Sequence, residues 1–387
     1  MSPVFDVAVV GGGPAGLSTA RSAATKGLEV IVLEKKREIG SPLKCAGFFP
    51  STIEMKKLLP QAEGFLDLLD FGPGVPVHHC RVVEVVFPSG RKLSAKLDGQ
   101  AVNRRALDRF LAQEAARAGA SMSLNTKVTA IEGRTIRTVV EGEERKLDAR
   151  VVVGADGAHS VVAAQYGERH TPEQLAFCYA HEYCSAEIDP GLVQMFFGRD
   201  LAPGGFAWLI PHGSDLVNLG LGVRKGYQKE GDSMNRLWQR LLSLAQVAVA
   251  VKHAQPLACI AAHVPIAGPR KRTAFNEALL VGDAAGQVLP HVGSGVPTSI
   301  IAGEIAGSAI YENIAHRKPL ALYEAEWRRV MGGVLESSLK IRAMLDRFID
   351  RDWFLNRVPD LIGEEAFVEL LMARAPRGIL QMLSSIL

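Results

Sequence analysis

One short segment near the N-terminus constrains this chain more than any other. Val4–Val10 is rich in β-branched residues, and Gly11-Gly12-Gly13-Pro14-Ala15-Gly16 follows it directly. Leu17–Lys26 then reads as a helix of small residues stopped by Gly27, and Leu28–Leu33 as a second strand ending at Glu34. Strand, glycine turn, helix and strand in this order make the βαβ unit that holds a dinucleotide. In Gly11-x-Gly13-x-x-Gly16 the first glycine permits the tight turn and the second lets a pyrophosphate approach the backbone. The third lets helix and strand pack closely. Phosphates in such a turn meet the free N–H groups and positive dipole of the helix start. Glu34 ends the second strand, where a carboxylate accepts both ribose hydroxyls and repels a 2′-phosphate. The site suits FAD or NAD and not NADP.

The rest of the chain reads as an α/β protein large enough for more than one domain, at 387 residues. Asn103–Ala118 has helical periodicity with Asn103 in capping position, and strands are expected around Met122–Ile131, Thr135–Glu141 and Lys146–Val153. From about residue 165 to 273 the pattern changes to short strands. Phe206–Pro211 and Leu216–Val223 flank a turn as an antiparallel hairpin, and Asn235–Val251 reads as one inserted helix. Ala278–Val281 is another buried strand, a helix starts near Pro297, and the chain is helical from Leu320. The expected fold is a Rossmann-type dinucleotide domain with an inserted antiparallel-sheet substrate domain and a helical C-terminus. The first takes residues 1–70, 101–164 and 274–334, the second 71–100 and 165–273, and the helical segment 335–387.

Composition excludes several classes. Charged residues make up 22% of the chain against 48% hydrophobic, so disorder is excluded. A net charge of +3 with mixed signs leaves no electrostatic footprint for nucleic acid. The five cysteines are scattered, with no Cys-x-x-Cys pair, and a metal or iron–sulfur site has no local support. His78-His79-Cys80 offers none either, because adjacent strand residues face opposite sides. No window reaches the roughly 18 apolar residues of a membrane span, and the N-terminus lacks the features of a signal peptide. A cytoplasmic location is expected, with peripheral contact at a membrane left open. Gly303-x-x-x-Gly307 reads as close helix packing inside the domain, and Pro269-Arg270-Lys271-Arg272 as a solvated loop.

Later glycine clusters choose FAD over NAD. Gly282-Asp283 follows a buried strand, where the carboxylate can hold a ribityl hydroxyl. Pro290-His291-Val292-Gly293-Ser294-Gly295-Val296 leads into a helix whose first turn holds Pro297 and would face a flavin edge with its positive dipole. With Gly154-Ala155-Asp156-Gly157, these motifs resemble the para-hydroxybenzoate hydroxylase superfamily of flavoproteins across nearly the whole chain. The resemblance implies FAD contacts from Gly11, Gly13, Pro14, Ala15 and Gly16, with Glu34 and Lys35 at the ribose. It adds Arg104 at the start of the next helix, Val128, and Ala155, Asp156 and Gly157. Gly282, Asp283, Pro290, Gly293, Gly295 and Val296 complete that set.

Two stretches narrow the resemblance. Lys44-Cys45-Ala46-Gly47 places a cysteine near the flavin, with Cys45, Ala46 and Gly47 also contacting it in the implied arrangement. Pro203-Gly204-Gly205-Phe206-Ala207-Trp208-Leu209-Ile210-Pro211 is similar to the Pro-x-x-Tyr-x-Trp-x-Phe-Pro signature of geranylgeranyl reductases, with Phe206 for Tyr and Ile210 for Phe. The resemblance implies that Phe206, Trp208 and Pro211 line a substrate cavity, while a bland reading leaves Phe206 and Trp208 in the hairpin core. It also implies reduction of isolated C=C bonds in a prenyl lipid, with Cys45 or His291 as proton donor. Cys45 as a small buried hydrophobe and His291 as a structural residue are the alternatives. Electrons would come from NAD(P)H or a ferredoxin. Phe206-x-Trp208-x-Ile210-Pro211 is also similar to a flavin halogenase motif, so a monooxygenase or halogenase is the rival. A flavoprotein carrier to quinone is a further alternative, although such relatives carry clustered cysteines that this chain lacks.

Overall fold

The computed structural model describes residues 4–374. From the N-terminus the chain runs β1 (Val4–Val10), α1 (Pro14–Thr25), β2 (Val30–Leu33), β3 (Phe48–Pro50) and α2 (Thr52–Leu58). Next come β4 (Val77–Val86), β5 (Lys92–Val102), α3 (Arg104–Arg117), β6 (Ser121–Ser123), β7 (Thr126–Glu132), β8 (Thr135–Val140), β9 (Glu143–Gly154) and α4 (Val161–Gln165). The inserted region holds β10 (Leu175–Cys184), β11 (Leu192–Phe196), β12 (Ala207–Pro211), β13 (Val217–Arg224), α5 (Met234–Leu242), α6 (Ala245–Ala250) and β14 (Gln255–Pro265). The chain closes with β15 (Ala278–Leu280), α7 (Val296–His316), α8 (Ala321–Trp327), α9 (Gly333–Leu345), α10 (Asp352–Leu355), α11 (Val358–Leu361) and α12 (Glu364–Leu371). The expected helical segment 335–387 falls within the described residues only up to 374.

The first sheet has seven strands, with β6, β2, β1, β9 and β15 parallel neighbours and β7 and β8 an antiparallel meander on β9. Parallel strands are buried on both faces, which explains the unbroken apolar run Val7–Val10. Val7 and Val9 pack toward α1 and α3, and Ala8 and Val10 toward β7, β8 and α4. Helix α1 lies against α7 with no room between them. A Cβ on Gly303 would stand 2.6 Å from the Ala15 carbonyl oxygen, and one on Gly307 2.5 Å from Ser22 Cβ.

The second sheet has eight strands in the order β14-β10-β13-β12-β11-β4-β5-β3, antiparallel except for β4 against β11. Its strand β3 comes from the N-terminal region assigned to the other domain, because Phe48–Pro50 hydrogen-bonds along the edge of β5. One face carries Ala207, Leu209, Leu219 and Leu221 against α5 and α6, and the opposite face turns toward the first sheet.

Three local expectations change. The strand expected over Met122–Ile131 is broken into β6 and β7 at Asn125, whose φ of 53° is left-handed and interrupts an extended chain. The helix expected over Asn235–Val251 is two helices, since the Ser243 hydroxyl bonds back to Arg240 O and Leu244 turns extended to start α6. The loop Pro269–Arg272 is not simply solvated. The Arg270 side chain is 8% exposed, donates to Ala284 O at 2.9 Å and pairs with Glu168.

Candidate active site

Strand register gathers the sequence-remote motifs. Val10 stands beside Leu33 on β2 and beside Gly154 on β9, and Gly154 stands beside Leu280 on β15. The residues that follow this row, Gly11, Glu34, Asp156 and Asp283, therefore share the carboxyl edge of one parallel sheet. That edge is where open α/β sheets bind ligands.

The glycines divide their work as the spacing implies. A Cβ on Gly11 (φ 106°) would meet Ala155 O at 2.4 Å, and one on Gly16 would meet Gly11 O at 2.0 Å, so both are packing requirements. Gly13 faces open space, with nothing within 4 Å of an added Cβ, at the start of α1. Glu34 is buried and fixed: Gly12 N–H donates to its Oε2 at 2.7 Å and Lys36 N–H to its Oε1 at 2.9 Å. Each oxygen keeps a free lone pair for a hydroxyl donor.

Around the edge stand polar groups without protein partners. Asp156 Oδ2 accepts from Val161 N–H at 2.6 Å, but its Oδ1 is buried and unpaired. Burial raises this carboxyl above its ordinary value, against the Ser160 hydroxyl and backbone N–H groups that lower it. Arg104 opens α3 and pairs with Asp108 at 2.8 Å, leaving its Nε buried and unpaired. Burial works to lower this guanidinium; Asp108 and Cys45 outweigh it and raise it above the ordinary arginine value. Among the described residues nothing donates to the Asp283 carboxylate, and burial pushes it up to about 6 despite Arg104 and Lys44. Lys44 is lowered by partial burial and by Lys35 and Lys36, while Glu34 and Asp283 pull it back. The Asp283 loop itself is clamped, with Gly282 N–H on Gln287 Oε1 at 2.7 Å and the His170 ring 3.2 Å from Asp283 O.

Beyond this edge, against the second sheet, lies a cavity of about 260 Å³. Its near end is formed by Lys44–Gly47 and Pro290–Val296. Its floor is the second sheet, and the register explains its depth. Ala180 pairs with Gly220, Cys178 with Gly222 and Ala176 with Arg224, so small side chains line a trench along β10 and β13. Trp208 lies across that trench where Gly220 has no side chain, since a Cβ there would be 2.4 Å from the indole. Its Nε1 donates to Asn218 Oδ1 at 2.8 Å. Phe206, Phe197, Ile210 and Met195 continue the wall.

The cysteine loop is held from beneath. His212 Nε2 lies 2.7 Å from Ala46 O, and Gly47 N–H points at Cys45 Sγ at 3.3 Å. Gly47 has φ 78°, and a Cβ on it would meet Val102 O at 2.4 Å. Burial lowers His212, and its Nε2 donates to that carbonyl, which can only accept. Cys178, across the cavity, is pushed up to about 12 by burial and by Cys45.

Of the residues expected from sequence, Cys45, Ala46, Gly47, Pro290, His291, Gly293, Gly295, Val296, Phe206 and Trp208 line the cavity. Pro211 does not line it: strand alternation turns it with Ala207 and Leu209 to the opposite face from Trp208 and Ile210. Val128 is buried among Val10, Leu33 and Ile131, so only its backbone at the β7 bulge is left to face a ligand. Lys35 is exposed beyond the end of β2. His291 is committed elsewhere: Nδ1 is 2.7 Å from Ser338 Oγ and Nε2 3.2 Å from Leu371 O. Burial pushes it down to about 4, against the Leu371 and Leu370 carbonyls, and both ring nitrogens are taken up by protein partners. Lys44, Cys178 and His212 were not singled out from sequence. Lys44 adjoins Cys45 in the chain, whereas only the fold brings Cys178 and His212 to it.

A parallel sheet edge with an open glycine turn, a fixed carboxylate, partnerless Asp156 Oδ1 and Arg104 Nε, and the Asp283 carboxylate fits the pyrophosphate, ribose and polyol of FAD, and defines an FAD-dependent oxidoreductase. The FAD binding domain family matches residues 4–338. Digeranylgeranylglycerophospholipid reductase of Methanocaldococcus jannaschii is 31% identical over 97% of both chains, and a second such reductase, of Methanothermobacter thermautotrophicus, 33% over 90% and 89%. The fold superimposes on a geranylgeranyl bacteriochlorophyll reductase-like protein from Thermoplasma acidophilum with a TM-score of 0.81 at 21% identity, each chain covered fully. A flavin-dependent brominase shares the fold at 0.70 and 18%, over 99% of each chain. The chain belongs to the geranylgeranyl reductase family of FAD-binding proteins.

Proposed function

We propose that this chain saturates isolated C=C bonds in the prenyl chains of a lipid. The observation that carries this reading is the trench of small residues under Trp208: an apolar, elongated floor that ends at the Cys45 loop. The N-terminus of α1 with Gly13 is assigned the pyrophosphate, Glu34 the ribose and Asp283 the ribityl chain. The Val128 backbone is assigned the adenine, and Arg104 and Lys44 neutralise phosphate charge. Bound FAD, reduced by NAD(P)H or a ferredoxin-type carrier, supplies a hydride equivalent.

The chain's own task is the proton. An isolated alkene has no electron-withdrawing group to hold developing charge, so an acid must deliver a proton in the same step. Cys45 is the donor in this reading, because its thiol is on the cavity wall and Arg104 faces the thiolate left behind. His212 keeps the Cys45–Gly47 loop in place through Ala46 O, and His291 anchors the Pro290–Val296 loop to α9 through Ser338. Trp208, Phe206 and the small residues of β10 and β13 bind the chain and keep water out. No helix among the described residues is long and apolar enough to cross a membrane, and the substrate is met at the membrane surface in this reading.

The test is anaerobic. Dithionite-reduced holoenzyme is mixed with a digeranylgeranyl phospholipid and the flavin absorbance followed. Reoxidation by the lipid supports the reading. Silence toward every prenyl lipid, with rapid oxygen-dependent hydroxylation or halogenation of an aromatic, supports the monooxygenase or halogenase instead.

A further inference from the structure

Both sheets end in strands whose outer N–H and C=O groups have no partner in the sheet, a template for pairing with another chain. Short length, charge or a bulge guards such an edge in most proteins, and three of the four ends here follow that rule. Strands β3 and β6 are three residues each, and β7 carries Lys127 and Glu132 on either side of a bulge between Val128 and Ala130. The fourth end, β14, is unguarded. It runs eleven residues, Gln255–Pro265, without a lysine, arginine, aspartate or glutamate. Among the described residues it pairs with β10 alone, and Cys259, Ala261 and His263 are exposed. The face beside this edge is uncharged as well. Helices α5 and α6 cover β12 and β13, but Phe177, Tyr179 and His181 of β10 remain half-buried, and Leu257 is 60% exposed. Aromatic residues and an absence of charge are the composition of an interface core.

The bare stretch has defined limits. Ile266 N–H donates inward to Gln174 O, and strand alternation from there turns the backbone N–H and C=O of His263, Ala261 and Cys259 outward. At one end Pro265 has no N–H to offer. At the other the register with β10 slips between Glu182 and Tyr183, which leaves Leu257 as the extra residue of a bulge. Three outward residues remain, with Ala261 in the middle. An antiparallel strand of the same sequence centred on Ala261 sets Cys259 against His263 and Ala261 against Ala261 across the two copies. No like charges then oppose each other, and a two-fold contact uses the same patch on both chains. We infer that β14 pairs with β14 of a second copy of this chain, antiparallel about a two-fold axis at Ala261, so that the two eight-stranded sheets continue as one. Ile260 and Val264 of the same strand line the cavity, so the second copy backs the cavity wall. This contact is independent of which substrate the cavity takes.

Sedimentation of the full-length holoenzyme tests the contact without any substrate. At high micromolar concentration the wild type should sediment with twice the mass of one chain. Ala261→Lys opposes two ammonium groups at the axis and should halve that mass at the same concentration. Ala261 is exposed, so the variant should keep its bound FAD, which the absorbance of the same sample reports. Amide hydrogen exchange adds a readout that needs no variant, because in a single chain the outward amides have no acceptor. The Cys259, Ala261 and His263 amides should be protected in the wild type and exchange freely in Ala261→Lys. A wild type that sediments as one chain overturns the inference. So does a dimer that Ala261→Lys leaves intact, or one in which those three amides exchange freely, since either places the contact elsewhere.

Discussion

Asp283→Asn tests the cofactor site without any substrate. Among the described residues the half-buried carboxylate has no donor, and burial pushes it up to about 6, against an ordinary aspartate value of about 3.9. A raised acid has its full folded stability only below the unfolded value and loses it as the pH rises through the folded one. The shift of about two units costs the FAD-free protein about 3 kcal/mol at pH 7.5, about 1.5 at pH 5 and about 0.5 at pH 4. Asparagine carries no such charge, so FAD-stripped Asp283→Asn should be more stable than wild type by these amounts. For a chain of 387 residues, 3 kcal/mol corresponds to a melting-temperature increase of about 4 °C. The holoenzyme should behave in the opposite way, because in the proposed arrangement the carboxylate accepts a charge-assisted bond from FAD. Losing it should weaken FAD binding by at least about tenfold. The assay is scanning calorimetry of both stripped proteins at pH 5 and 7.5, with FAD titration at pH 7.5. A stripped variant that is no more stable at pH 7.5, or a gain that does not shrink toward pH 5, refutes the argument.

Other variants test the cavity. Gly222→Leu fills the trench floor beside Cys178, whose Sγ lies 3.4 Å from where the Cβ would be. It should keep FAD while kcat/KM for prenyl lipid falls more than tenfold, at about 1.4 kcal/mol per tenfold. Trp208→Phe removes the donor to Asn218 and strands a buried amide, whose Nδ2 already lacks a partner. Thermal denaturation should record a loss of about 1–3 kcal/mol. Cys45→Ala should retain FAD by absorbance and slow alkene reduction about 100-fold or more. Unchanged turnover removes the thiol from the mechanism.

How much of this was legible in the sequence depended on distance along the chain. Gly11, Gly13, Gly16 and Glu34 fall in one unit of about thirty residues, where spacing carries the geometry. Asp283 was legible because it follows a buried strand, and Asp156 only through the resemblance to the flavoproteins. Their common row beside Val10 is a matter of register, which spacing does not contain. The trench was hidden for the same reason: Cys178 and Gly222 look like unrelated small residues until β10 pairs with β13. Pro211 was misplaced because a motif lists consecutive residues, whereas a strand sends alternate ones to opposite faces. His291 looked available as an acid because its partners, Ser338 and Leu371, come from a helical segment far along the chain.

The central claim is that the trench presents a prenyl alkene to a bound flavin. Its most direct test is the mass of the lipid recovered after anaerobic incubation with excess reductant and holoenzyme. The expected result is a ladder of products, each heavier by two hydrogens per bond reduced, formed by wild type and nearly absent with Gly222→Leu. A lipid recovered unchanged from fully reduced, FAD-loaded enzyme would contradict the account.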